Sequence, residues 1–363
     1  MAELAQTEEY GEVAGEEDFS RPALKAYLSG KLEGAEQPME VRQFRGGHSN
    51  LTYLLRFGAR EWVMRRPPLG PVPPTAHDMS REYRVLSALW RVYPPAPRAL
   101  LFCDDTGVIG APFYVMERRH GLVIRMRQPL PSELPTDPAS FRLLSETFID
   151  ALAQLHMVDY EAIGLGTLGR PQGFVERQIT GWMTRWERAK TREVPLMNRL
   201  GEWFLSHMPA PQTPTLLHND FFLHNVMFNR EDLGKVSAVL DWEMCTLGDP
   251  MVDLGTTLAY WRDPGDDEEL LALAEGHAHS ILPGFLGRDQ LAERYARCTG
   301  RDISAVSYYT ALAHWKTATV VEQIYSRYVR GQTSDARFAT MGKQPPVLAG
   351  AAAALVRRFG FSG

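Results

Sequence analysis

Apolar residues Leu24, Tyr27, Leu28 and Leu32 recur along one side of a segment that begins at Ser20 with Pro22 in its first turn. This pattern predicts a first helix capped by Ser20. Strand-like runs follow near Val41–Phe44, Leu51–Phe57 and Glu61–Arg65, the last halted by Pro67-Pro68. Ser80–Leu89 reads as a helix carrying Glu82, and a further strand pair is expected at Ala99–Cys103 and Pro112–Glu117. Past residue 120 the period changes to 3.6. Leu144, Phe148, Leu152 and Leu155 define a helix over Phe141–His156, and Arg177–Lys190, Leu196–His207 and Val347–Arg358 read as helices too. Short strands are expected at Val226–Phe228 and Val236–Leu240. The expectation is an α+β chain with a small, β-rich lobe over residues 19–117 and a larger helical lobe over 118–363. The hinge falls near Met116–Gly121. Residues 1–18 are acidic, lack the basic and apolar parts of a leader, and read as a flexible tail.

Composition narrows the function classes. With 363 residues, 44% hydrophobic and 23% charged, the chain has the make-up of a globular protein large enough for two cores. A net charge of -5 argues against nucleic acid as a partner, because phosphate neutralisation needs an excess of Lys and Arg. Cys103, Cys245 and Cys298 are odd in number and widely spaced, which speaks for a reducing, cytoplasmic compartment rather than a disulfide framework. The most apolar run, Val347–Val356, is too short to span a membrane, so no membrane partner is expected.

The densest chemistry lies at Leu216-Leu217-His218-Asn219-Asp220-Phe221-Phe222-Leu223-His224-Asn225. An apolar run leads into His-x-Asp, and four residues then separate Asp220 from Asn225. Further on, Val236-Ser237-Ala238-Val239-Leu240 delivers Asp241-Trp242-Glu243. Phosphoryl transfer requires this set of groups. One carboxylate orients the attacking hydroxyl and accepts its proton, while a second carboxylate and an amide hold Mg²⁺ against the phosphates. Asp220, Asp241 and Asn225 fit those roles in that order, with His218 beside Asp220 as a second catalytic candidate. Asp and Asn are also ordinary turn residues. The spacing alone would read as loop capping without the flanking strands and His218.

This segment resembles the H-G-D-x-x-x-x-N and D-W-E motifs of the aminoglycoside phosphotransferase and choline kinase-like family. The similarity continues through Gly248-Asp249-Pro250-Met251-Val252-Asp253-Leu254 and covers nearly the whole chain. The stretches Phe44–Tyr53, Val63–Pro68, Arg81-Glu82-Tyr83 and Glu176-Arg177-Gln178 with Trp182 look like one branch of it, whose members occur beside or fused to acyl-CoA dehydrogenases. The resemblance implies a bilobal protein-kinase-like fold, ATP and Mg²⁺ as cofactors, and a small-molecule alcohol as acceptor. Two positions depart from the pattern. Asn219 replaces a glycine, which Asn can do because it tolerates left-handed backbone angles. Arg65 stands where the family has a phosphate-holding lysine, and its planar fork binds phosphate as well.

On the nucleotide side, Gly46 and Gly47 permit close backbone approach to phosphates, and Ser49 and Asn50 add donors; a plain hairpin turn is the competing reading. Glu82 is expected to pair with Arg65 and aim it at the phosphates, the alternative being an exposed helical carboxylate. Met116, Glu117 and Arg119 sit where a kinase-like linker meets adenine, Met116 as gatekeeper and the other two through main-chain atoms. Asp249 before Pro250 suits a helix N-cap, Asp253 a brace for the catalytic loop, and His156 a structural role.

The function expected is transfer of the ATP γ-phosphate to a small-molecule hydroxyl, with a hydroxyacyl-CoA or hydroxy acid as the acceptor that the branch resemblance favours. Rival readings are an aminoglycoside-type antibiotic kinase and a catalytically silent nucleotide-binding module. A protein kinase is disfavoured because only Trp242–Asp249 separates Asp241 from the next helix, which leaves no activation segment. Arg170, Arg177, Arg185, Arg188, Lys190, Arg192 and Arg199, with Lys316, Arg327 and Arg330, favour an anionic or neutral acceptor over a polycation. Ordinary surface charge is the competing account of these cations.

Overall fold

The computed structural model describes residues 10–13, 15, 18–44, 50–68, 78–126, 128–274, 278–333 and 335–362. The chain forms two compact units: Met1–His120 with Ala238–Glu243, and Gly121–Ser237 with Met244–Gly363.

The first unit is built on one antiparallel sheet. Its elements are β1 (Tyr10–Gly11), α1 (Arg21–Leu28), β2 (Met39–Phe44), β3 (Leu51–Phe57), β4 (Arg60–Arg66), α2 (Met79–Leu89), β5 (Ala99–Cys103), α3 (Thr106–Ile109) and β6 (Phe113–Glu117). The strands lie in the order β1-β2-β3-β4-β6-β5. Ser20 caps α1 by accepting from Ala23 N, as its position before Pro22 predicts. Leu24 and Leu28 of that helix pack with Val41, Tyr53, Leu55, Phe57, Met64, Phe113 and Val115 into the core on one face of the sheet. Each such fully buried side chain contributes about 1.5–3 kcal/mol. A two-residue turn joins β3 to β4, and Gly58 takes φ +57° there, a conformation that favours glycine. One expectation is corrected: the acidic stretch 1–18 is not wholly a tail. Tyr10 and Gly11 extend the sheet opposite Phe44 and Gln43, because the Tyr10 ring meets Phe44 edge-on at 5.9 Å and Arg118 lies 5.5 Å over it.

The second unit is mainly helical. It holds β7 (Leu122–Val123), α4 (Pro138–His156), α5 (Phe174–Ala189), α6 (Pro195–Ser206), β8 (Thr215–Leu217) and β9 (Val226–Phe228). The chain then runs along β10 (Val236–Val239) into the first unit and returns for β11 (Thr246–Gly248). The closing helices are α7 (Pro250–Tyr260), α8 (Glu268–Ala272), α9 (Arg288–Thr299), α10 (Val306–Val329) and α11 (Gln344–Val356). Helix α10 is the spine and packs against α5, α7 and α11. The α7 contact is so close that a Cβ on Gly255 would meet Tyr309 O at 2.6 Å. Strands β8 and β11 pair antiparallel, with Thr215 opposite Gly248, so the His218 loop emerges beside the start of α7. Two-residue β7 pairs with β9, and a Cβ on Gly121 just before it would meet Phe228 O at 2.3 Å. Strands β7, β8 and β11 are too short for period-two patterning to reveal them.

Candidate active site

Two groups of side chains carry the chemistry, one in each unit. In the first, the β3–β4–β6 register puts Arg65 between Thr52 and Tyr114. Its guanidinium is buried and donates from Nη1 to Glu82 on α2 and from Nη2 to Asp241 Oδ1 at 2.9 Å. The next residue, Arg66, points to the other face. There it donates to Ile109 O at 3.0 Å and lies over the rings of Phe19 and Tyr53. The strand phase therefore assigns the two arginines different work. Glu82 is 0% exposed. Burial pushes its carboxyl up to about 7, with Asp241 and Glu243 adding to the rise and Arg65 opposing it. Among the described residues, no hydrogen-bond partner is found for the buried Arg65 Nε and Glu82 Oε2.

Asp241 takes a left-handed backbone, φ +69°, which Asp tolerates better than most residues. Asn50 Nδ2 donates to Glu243 Oε2 at 2.7 Å, so the Asp-Trp-Glu motif ties one end of the Gly46–Asn50 loop. Gly46, Gly47 and Ser49 lie outside the described residues. Met116 is buried, and its sulfur accepts from Tyr114 Oη at 3.9 Å. Glu117 donates its N–H to Arg98 O at 3.0 Å, and its carboxylate accepts from Arg98 N and Arg119 Nε at 2.7 and 2.9 Å. Glu243 and Tyr114 were not singled out from the sequence. The D-W-E spacing was the available signal for the first, while only the sheet register places Tyr114 against Arg65.

In the second unit the loop after β8 is held from beneath. Asp253, one turn into α7 and fully buried, accepts from His218 N at 2.6 Å and Asn219 N at 2.8 Å. His156 Nε2 lies 3.2 Å from the same carboxylate, and His156 Nδ1 is 2.7 Å from Tyr295 Oη. Burial alone would raise the Asp253 carboxyl. The His156 hydrogen bond and charge, with His218, override that and hold it below the usual carboxylate range. Asn219 adopts φ +68° and donates from Nδ2 to Met244 O at 2.8 Å, so the Gly-to-Asn departure keeps the turn and adds a bond. Asp220 N donates to His218 Nδ1 at 3.3 Å, and Asn225 Nδ2 donates to Asp220 O at 2.9 Å. His218 is fully buried, so the structure makes it a support for the Asp220 amide instead of a group presented to solvent. Asp249 caps α7 by accepting from Met251 N at 2.9 Å, with Tyr309 Oη also on its carboxylate at 3.0 Å.

The cation-rich segment resolves mostly into structural contacts. Arg177 donates to Arg170 O and Gln172 O, Arg192 to Gly342 O and Arg199 to Ser362 O. Lys190 pairs with Glu187 and Glu193, both at 2.9 Å. Arg185 and Lys316 lie 4.4 and 5.8 Å over the Trp182 ring, whereas Trp186 is core.

A sheet-based unit with a buried Arg–Glu pair, followed by a helical unit with an Asp-loop-Asn segment, defines a kinase-like phosphotransferase class. The chain belongs to the phosphotransferase enzyme family, whose model matches residues 40–293. It is 33% identical to acyl-CoA dehydrogenase family member 11 of Gallus gallus over 97% of this chain and 45% of that one, and so spans less than half of that relative. A Ralstonia eutropha crystal structure, provisionally named an aminoglycoside phosphotransferase, superposes with a TM-score of 0.79 at 31% identity, covering 94% of this chain and 99% of that one. Aminoglycoside phosphotransferase APH(4)-Ia, in a ternary complex with AMP-PNP and hygromycin B, shares the fold at 15% identity and a TM-score of 0.55, over 94% of this chain and 100% of that one.

Proposed function

We propose that this chain transfers the γ-phosphate of ATP to a hydroxyl of a small molecule, with hydroxy acids and hydroxyacyl-CoA esters as the favoured acceptors. The observation that carries the reading is the Asp220 loop, locked by Asp253 through two main-chain N–H groups, in a chain of the phosphotransferase family. A base must be held within a fraction of an ångström to be effective, and a buried carboxylate under its own loop does that.

Each unit by itself carries donors of the kind that a metal-bound nucleotide needs. Arg65 carries an Nε with no partner among the described residues, a donor suited to an anion. Asp241 supplies carboxylate oxygens. Asn225 has its Nδ2 committed to Asp220 O, which leaves Oδ1 as its acceptor; hard oxygens of this kind suit Mg²⁺. When bound, Mg²⁺ offsets charge on the phosphates. In this reading Asp220 takes the proton of the acceptor hydroxyl as that oxygen bonds to the γ-phosphorus and the bond to the β-phosphate oxygen breaks, releasing ADP. Arg65, aimed by Glu82, holds the phosphates of the nucleotide. Asn50 adds a donor toward them, and Met116, Glu117 and Arg119 border the adenine.

The test is product analysis with Mg²⁺·ATP and three acceptor sets: hydroxy acids, hydroxyacyl-CoA esters and kanamycin-type aminoglycosides. Phosphorylated product from either of the first two, lost in Asp220→Asn, is expected. Transfer to aminoglycosides alone would replace the acceptor assignment. Transfer to none, or product formation in Asp220→Asn within about threefold of wild type, would overturn the function, since a general base contributes ~10²–10⁴-fold.

A further inference from the structure

Strand β1 closes one edge of the sheet in the first unit, and it does so at a particular place. The pairing of β2 with β3 runs from Met39–Phe57 to Gln43–Tyr53. The last residue of β2, Phe44, is paired instead by Tyr10 of β1, with Gly11 opposite Gln43. At the start of β3, Leu51 and Thr52 pair with Arg66 and Arg65 of β4. Among the described residues, the two stems of the Gly46–Asn50 loop are therefore held by different outer strands, β1 on one side and β4 on the other.

Side chains reinforce β1 at that same point. The Tyr10 ring meets Phe44 edge-on at 5.9 Å. The Arg118 guanidinium lies 5.5 Å from the Tyr10 ring and 5.9 Å from the Phe44 ring, so one cation serves both. Its side chain is 10% exposed, and a guanidinium is drawn to aromatic faces most strongly where water is kept away. Arg118 Nη1 donates to Glu61 Oε2 at 2.5 Å, and Glu61 Oε1 accepts from Arg56 Nε at 3.0 Å. Arg56 Nη2 in turn donates to the Tyr10 hydroxyl at 3.4 Å. Beyond the strand, Glu12 pairs with Arg42 of β2 and Val13 packs on the core. Arg118 directly follows Glu117, the last residue of β6, and precedes Arg119. The two rings and Arg118 thus tie the end of β2 to the end of β6 within one unit.

We propose that Tyr10 and Arg118 are positioning residues for the nucleotide: they fix the stem of the phosphate loop at Phe44 and link it to the residues that border adenine. This rests on the phosphotransfer reading for the roles of the Gly46–Asn50 loop, Glu117 and Arg119. Glycine backbone loses more freedom than any other when a ligand orders it. A stem fixed beforehand leaves less to be ordered at binding, which is the gain of preorganisation. Neither residue is required to touch the reacting atoms, so their effect belongs in nucleotide affinity and not in the chemical step.

The experiment compares wild type, Tyr10→Ala, Tyr10→Phe, Arg118→Lys and Phe19→Ala as full chains. Calorimetry with Mg²⁺·AMP-PNP reads nucleotide binding without turnover, steady-state kinetics reads KM and kcat, and hydrogen exchange without nucleotide reads residues 41–53. Tyr10→Ala should weaken AMP-PNP binding and raise the KM for ATP by roughly 3- to 10-fold, the scale of one aromatic or cation–π contact. Its kcat and acceptor KM should stay within about twofold, as expected when only nucleotide binding is lost. Exchange at Gln43 and Phe44 should quicken in Tyr10→Ala. Tyr10→Phe keeps the ring and should restore affinity, while Arg118→Lys keeps the charge without the flat fork and should fall between. Phe19→Ala strips a ring from Tyr53 in the same core, 5.2 Å away, and should leave AMP-PNP affinity unchanged. Should Arg118→Lys not fold, the Tyr10 variants carry the test. Equal loss of affinity in Phe19→Ala and Tyr10→Ala would make the strand a general stabiliser and overturn the positioning role. Unchanged affinity and exchange in Tyr10→Ala would overturn it too. Tyr10-dependent AMP-PNP binding with no transfer to any acceptor would keep the positioning role and remove the transfer reading. Transfer with Tyr10-independent affinity would do the reverse, and a wild type that binds no AMP-PNP would overturn both.

Discussion

Replacing Asp253 with Asn removes one acceptor oxygen from a carboxylate that holds three donors: His218 N at 2.6 Å, Asn219 N at 2.8 Å and His156 Nε2 at 3.2 Å. The asparagine oxygen can serve one main-chain N–H. Its NH₂ then faces the other donor and cannot accept from it. At least one buried N–H is orphaned, at about 1–3 kcal/mol, and the charge opposite His156 is lost as well, so about 2–4 kcal/mol is expected in all. For a unit of this size that lowers Tm by roughly 5–10 °C. Phosphotransfer should fall about 10²-fold, because Asp220 moves with the loop that Asp253 holds. The pH dependence adds a second signature. The folded carboxyl lies below its unfolded value, so its contribution is present above about pH 4 and fades as pH falls below that. Asp253→Asn should lose that acid-side decline. The assays are thermal melting between pH 3 and 7 and ADP release at neutral pH. A variant with wild-type melting, wild-type acid sensitivity and wild-type turnover would refute the proposed brace.

Glu82→Gln should change stability in a different pH window. The Glu82 carboxyl is raised by burial to about 7, so its favourable protonated form is lost as pH rises from about 4.5 to about 7. Melting curves should show that fall in wild type and a flatter profile in Glu82→Gln. Asp241→Ala should weaken Mg²⁺·ATP binding more than metal-free ATP binding, and calorimetry giving equal losses would count against a metal role. Arg65→Ala should raise the KM for ATP or lower kcat more than Arg66→Ala does at equal folded fraction, because only Arg65 faces Glu82 and Asp241; kinetics with the ranks reversed would refute this. Asn219→Ala should cost about 1–2 kcal/mol in urea titration by straining φ +68° and losing the Met244 bond, whereas Asn219→Gly should cost less.

The chain's linear pattern was enough for its longer elements. The apolar, strand-like runs at Leu51–Phe57 and Ala99–Cys103 and the Ser20 and Asp249 caps are local signals, and each element forms where those signals lie. The roles expected of Asp253 and His156 could also be read early, since a carboxylate one turn into a capped helix and a histidine closing an apolar one have few other uses. Short spacing likewise brought Asp220 and Asn225 together. Tertiary structure decided what local pattern does not encode. Tyr10–Gly11 becomes a strand only because Phe44 and Arg118 are there to receive it. Asp241 meets Arg65 across 176 residues of chain, and only sheet register turns Arg65 toward it and Arg66 away. The cations of α5 and its neighbours looked like a charged wall, yet Arg192, Arg199 and Arg330 donate to carbonyls that distant segments bring to them.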